Sequence, residues 1–74
     1  MKIKVIDADR HPLWGHRTII ADVEELGRVF ASRTGIVPVW TCSQRRLIPE
    51  DRLEAFDDMM DNAWNEARRN GVSR

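Results

Sequence analysis

The chain of 74 residues has room for one small domain, and its twelve Lys and Arg balance twelve Asp and Glu at pH 7. That balance argues against a general binder of nucleic acid or of anionic membranes, and no apolar run approaches the roughly 20 residues of a membrane span. The single cysteine, Cys42, leaves the fold to packing rather than to an internal disulfide, which fits a cytoplasmic location.

The apolar run after Met1 is too short for a signal peptide. Lys2 to Ile6 alternates with period two, which predicts a strand with Ile3 and Val5 on one face and Lys2 and Lys4 on the other. Asp7 to Pro12 is rich in turn formers and reads as a loop. A second strand, centred on Thr18-Ile19-Ile20 and ending at Ala21, would pair with the first in antiparallel sense.

Asp22 is placed to cap a helix, with Glu24 and Glu25 in its first turn and Val23, Leu26, Val29 and Phe30 as its apolar stripe. Gly27 weakens that helix by about 1 kcal/mol relative to alanine, and Thr34-Gly35 would close it. Ile36 to Cys42 then reads as a strand, with Pro38 assigning it to an edge and the strand–helix–strand order allowing a parallel crossover. Pro49 suits the first position of a second helix. Leu53, Phe56, Met60, Ala63, Trp64 and Ala67 share a sector of about 100° on it, and it ends near Asn70-Gly71. The expected architecture is α+β in the order β-β-α-β-α: a small three-stranded sheet with two helices packed on one face, the C-terminal one long. Residues 1–74 form one domain, with 71–74 a disordered tail.

Charge is distributed unevenly. Residues 50–66 carry seven acids against Arg52 alone, whereas residues 1–20 carry Lys2, Lys4, Arg10 and Arg17 against Asp7 and Asp9. On a helix, Glu50, Asp51, Glu54, Asp57, Asp58 and Asp61 form one band beside the apolar stripe. Glu50–Glu54, Glu54–Asp58 and Asp57–Asp61 are repulsive i,i+4 pairs with no base at i+4 to relieve them. A solvated face accounts for such a band, and so does a contact surface for a basic partner, since carboxylates at helical spacing imitate a row of phosphates. Asp51, Glu54, Asp57, Asp58 and Asp61 are the candidate contacts, with Trp14 in Pro12-Leu13-Trp14-Gly15 as a candidate anchor.

Other constellations are weaker. Asp7, Asp9, His11 and His16 match no dedicated zinc or calcium spacing and suit a turn-forming loop. Cys42 reads as a buried strand thiol, and nucleophile-elbow and phosphate-loop motifs are absent. No catalysis, cofactor or metal is expected. Lys2, Lys4, Arg45 and Arg46 beside Trp40 offer an alternative, a stacking-plus-charge platform for nucleic acid. In size and charge layout, though in no residue motif, the chain resembles the compact accessory proteins of bacterial and phage genomes. Many of those bind and block a host complex. The leading expectation is a non-enzymatic regulator or inhibitor that presents its acidic helix face to a basic, nucleic-acid-binding type of protein surface. A homodimer is a further expectation, because a chain near this length hides only about 60% of its unfolded surface.

Overall fold

The computed structural model describes residues 2–33 and 39–71. Three strands, β1 (Ile3–Arg10), β2 (Arg17–Val23) and β3 (Gly27–Arg33), form an antiparallel sheet in the order β1-β2-β3. One long helix, α1 (Leu53–Arg69), packs across one face of it. The α+β class and the terminal helix stand as the sequence predicts, while among the described residues the order is β-β-β-α in place of β-β-α-β-α.

The alternation in β1 changes phase partway along. Val5 pairs with Ala21 and Asp7 with Ile20, so Ile6 is an extra, bulged residue. A bulge turns the following side chains to the opposite face. That is how odd-numbered Ile3 and Val5 and even-numbered Ala8 all reach the helix side, where Ala8 is fully buried. The helix-facing rungs are then Ile3–Val23–Gly27, Val5–Ala21–Val29, Ala8–Ile19–Ala31 and Arg10–Arg17–Arg33.

The helix expected over residues 22–34 is instead the second hairpin. Val23 and Val29, on β2 and β3, both turn inward, so the hairpin buries apolar groups that the sequence assigns to a helical stripe. Phe30, which a helix would have buried, is 65% exposed on the opposite face. The turn closes with the Leu26 amide donating to the Val23 carbonyl at 3.0 Å, and Gly27 supplies a left-handed backbone at φ 78°. Asp22, expected as a cap, lies in β2 and binds Arg28 through two hydrogen bonds across the hairpin. Arg28 holds the Asp22 carboxyl below its usual range.

The first three residues of the strand expected over Ile36–Cys42, Pro38 among them, lie outside the described residues, as does the closing Gly35. Its last part runs beside β3 without extending the sheet, meeting it at the Ser32–Thr41 bridge. The pairing there is antiparallel, so no parallel crossover links Thr41 to β3. Gln44 Nε2 donates to the Arg28 carbonyl at 2.9 Å and covers more of this edge. The tail residues 72–74 also lie outside the described residues.

Pro49 precedes a 3-10 turn at Glu50–Arg52, and α1 proper begins at Leu53. Phe56, Met60, Trp64 and Ala67 are its buried stripe, and Gly71 follows it with φ 75°. Their partners are the inward strand residues together with Ile48 and Trp40, the latter 0% exposed. Alanines on the middle rungs leave depth for these large side chains.

Glu25 is the one non-glycine with positive φ, at 81°, among the described residues. A left-handed backbone costs an L-residue about 1–2 kcal/mol, against roughly 0.4–1 kcal/mol of unfolded-state entropy that glycine adds. Glu25→Gly is therefore expected to stabilise the fold by about 0.5–1 kcal/mol, read as a higher urea midpoint at unchanged slope; a lower midpoint would contradict the turn geometry.

Candidate functional site

The acidic helix divides into two kinds of carboxylate. Asp57 Oδ1 accepts the Trp40 backbone N–H at 3.0 Å and Arg45 Nη1 at 2.8 Å, while Oδ2 accepts Arg45 Nη2 at 3.1 Å. Arg45 also donates to the Trp40 carbonyl at 2.7 Å, and Asp57 raises its guanidinium above the ordinary value. One turn on, Asp61 Oδ1 accepts Arg33 Nη1 at 2.7 Å, Trp40 Nε1 at 3.1 Å and Arg17 Nη1 at 3.4 Å. The Asp57–Asp61 repulsion is thus relieved by bases from other elements, which no i,i+4 count along the helix could reveal. Glu50, Asp51, Glu54 and Asp58 remain exposed. Of the five carboxylates expected to meet a partner, Asp57 and Asp61 are turned to internal work; Asp51, Glu54 and Asp58 stand outward.

The second surface is the end of the first hairpin. Its loop is closed by His11 N–H donating to the His16 carbonyl at 2.8 Å and Gly15 N–H to the His11 carbonyl at 2.9 Å. The His11 ring turns back over the loop, and its Nδ1 accepts the amides of Leu13 at 3.1 Å and Trp14 at 3.2 Å. In that arrangement Nδ1 is the acceptor of both amides. The Trp14 indole stacks on His11 with centroids 4.6 Å apart and planes 10° from parallel, and His16 stacks on His11 at 4.9 Å. Gly15 has φ 73°, the conformation glycine takes without penalty. Despite this internal order, Leu13 is 80% and Trp14 76% exposed.

Below the loop lies a rung absent from the sequence reading. Arg10 pairs with Arg17 across β1 and β2, and Arg17 with Arg33 across β2 and β3. Like charges directly opposite on neighbouring strands repel. Asp61 offsets two of them, and the ring of buried Trp64 takes the guanidinium carbons of Arg17 at 4.7 Å, Arg10 at 5.1 Å and Arg68 at 5.7 Å. Trp64 is held edge-on by its Nε1–H donating to the Asp9 carbonyl at 3.0 Å. Arg10, Arg17 and Arg33, with Trp14, Gly15 and His16, line a hollow of about 220 Å³. The three arginines are distant in sequence, and only the strand register aligns them.

The remaining candidates are not gathered into sites. Of Asp7, Asp9, His11 and His16 the two imidazoles stack together, but no group of three or more His, Cys, Asp or Glu able to hold a metal occurs among the described residues. Asp9 instead accepts the Arg10 amide and Arg68 Nη1. The platform expected from Lys2, Lys4, Arg45, Arg46 and Trp40 is corrected: Trp40 is wholly buried and Arg45 is bound to Asp57. Lys2, Lys4 and Arg46 are exposed. Cys42 is half-buried, and burial raises its thiol above the ordinary value. No helix of the described residues is long and apolar enough to cross a membrane.

Comparison of the chain with protein-family models, with curated proteins and with solved structures finds no match.

Of the three indoles, Trp14 alone stands in solvent, while Trp40 and Trp64 are buried. Acrylamide is therefore expected to quench one component of the native fluorescence strongly. Trp14→Phe should remove that component and leave the shielded emission; a quenchable fraction that survives the substitution would place another indole at the surface.

Proposed function

We propose that this protein is a small, non-enzymatic binding protein, a regulator or inhibitor in type, that engages a protein partner through the end of its first hairpin. The observation that carries this reading is the exposure of Leu13 and Trp14 on a loop already ordered by its own hydrogen bonds and ring stacking. Tryptophan and arginine are the residues most enriched at interface hot spots. An anchor that is rigid before binding loses little entropy on docking, so more of its burial energy appears as affinity. Exposed apolar side chains of this size are otherwise a solubility liability.

The acidic face enters this proposal in reduced form. Asp51, Glu54 and Asp58 face solvent, and a basic region of the partner would meet them by charge complementarity. Asp57 and Asp61 are left out because their oxygens already accept donors from Trp40, Arg45, Arg33 and Arg17. At 1.5 Å per residue, Asp51 and Glu54 lie about 10–15 Å along the helix from Asp61, the carboxylate beneath the hairpin end. The two patches are separable by mutation.

The test compares partner capture from the native host by the wild type, by Leu13→Ser with Trp14→Ser, and by Asp51→Lys with Glu54→Lys and Asp58→Lys. Each variant is first shown to be folded by circular dichroism. The expected result is a specific partner retained by the wild type and lost, by tenfold or more, with the hairpin variant. Unchanged capture by that variant would reject the hairpin as the anchor, and loss with the acidic-face variant alone would move the contact to the helix.

A further inference from the structure

We propose that the hollow beneath the hairpin tip is an anion-binding site that receives a carboxylate side chain of the partner, so that the segment bound there is acidic with a neighbouring apolar residue. This rests on the reading that the hairpin tip is the partner-binding surface, and it names the chemistry of what binds.

The argument begins with the cost of the rung. Arg10, Arg17 and Arg33 occupy directly opposed positions on three adjacent strands, all on the helix side. Side chains so placed begin only about 4.5–5.5 Å apart. A sheet seeking stability alone would alternate charge along such a row. Here one carboxylate, Asp61, answers Arg17 and Arg33 through a single oxygen that also accepts the Trp40 indole N–H. Arg10 is directed to the Gly15 carbonyl and the Trp64 ring, both neutral groups. Arg68 enters from α1, facing Asp9 at 3.3 Å and the same ring. Among the described residues, four guanidiniums therefore meet the carboxylates of Asp61 and Asp9 at this end, and no carboxylate of those residues lines the hollow itself.

Guanidinium groups also suit the ligand. Their planar fork of N–H donors matches a carboxylate in two-point contact, and their charge does not titrate near neutrality. At roughly 30 Å³ per water, a hollow of about 220 Å³ admits a carboxylate with part of its hydration. Its rim is formed by Trp14 and Gly15, so an anion placed among the arginines lies beside the exposed indole. A partner segment would set an apolar side chain against Leu13 and Trp14 and an adjacent Asp or Glu into the hollow. An acidic protein segment is favoured over nucleic acid because Leu13, the most exposed large apolar group among the described residues, offers a base no flat stacking face. One face of Trp14 is likewise taken by His11.

The test titrates the ¹⁵N-labelled full chain with a capped hexapeptide of alternating Leu and Asp/Glu, with its Lys counterpart, and with hexathymidylate. The acidic peptide is expected to give saturable shifts confined to the amides of Gly15, His16 and Arg17 and to the Nε–H signals of Arg10, Arg17 and Arg33. Its affinity should fall several-fold between about 50 and 300 mM salt. It should also fall about fivefold in Arg10→Gln, whose side chain is exposed and whose fold is checked by the dispersion of the same spectra. The Lys peptide should leave these signals in place. No shift at millimolar acidic peptide, equal binding of the Lys peptide, or at least tenfold tighter binding of hexathymidylate would overturn the proposal. The two readings fail separately. Partner capture lost with the hairpin variant but no response to acidic peptide removes the anion site alone; peptide binding with capture intact in that variant removes the docking surface alone.

Discussion

Two carboxylates one helical turn apart tie this small molecule together. Asp57 holds the backbone of Trp40 and the guanidinium of Arg45; Asp61 holds the Trp40 indole and the arginines of β2 and β3. Trp40 is the largest wholly buried side chain, and its backbone and ring N–H groups both end on α1. A buried donor left without an acceptor costs about 1–3 kcal/mol, so these two carboxylates let an indole and its amide enter the core. They also fix the rotation of α1, because Phe56, Met60 and Trp64 can face the sheet only while Asp57 and Asp61 face Trp40 and its neighbours. Sheet, connecting segment and helix thus meet at one residue.

That constraint shapes the surface in two ways. It takes Asp57 and Asp61 out of the acidic band, leaving an outward patch weaker than the row of six carboxylates that the helix alone suggests. It also accounts for how three arginines can stand on one rung, since Asp61 and the Trp64 ring, both on α1, lie over the row and lessen its repulsion. The compensation is weaker around Arg10, whose guanidinium meets the neutral Gly15 carbonyl and the Trp64 ring. Directly above the rung the loop exposes Leu13 and Trp14 in an ordered conformation. Anchor and charge at one end, and solvated acids toward the start of α1, give a neutral chain a strongly polarised surface.

Much of this is legible in the residues, and the failures have identifiable physics. The period of α1 is unmistakable because its buried groups, Phe56 to Ala67, keep one face for about three turns. β1 is legible only as far as Val5, since the bulge at Ile6 breaks the alternation without any glycine or proline to announce it. The hairpin after Asp22 reads as a helix because Val23, Leu26 and Val29 recur every three residues and Glu25, an unusual residue for a left-handed turn, hides the reversal. The exposure of Trp14 is legible from its turn-rich surroundings. The meeting of Arg10, Arg17 and Arg33 is not, because it depends on two strand registers at once. The internal roles of Asp57 and Asp61 escaped for a similar reason, their partners being 12 to 44 positions away.

The central claim, that Asp57 and Asp61 clamp the fold while their neighbours are only solvated, is tested most directly by urea unfolding of four isosteric variants: Asp57→Asn, Asp61→Asn, Glu54→Gln and Asp58→Asn. Hydrogen bonds to charged groups contribute about 1.5–3 kcal/mol, so the first two should each lose on that order. The last two relieve i,i+4 repulsion, which for Glu54 is set against its place in the first turn of α1, so each should change stability by no more than about 0.5 kcal/mol. Equal effects across the four, or larger losses at Glu54 and Asp58, would contradict the account.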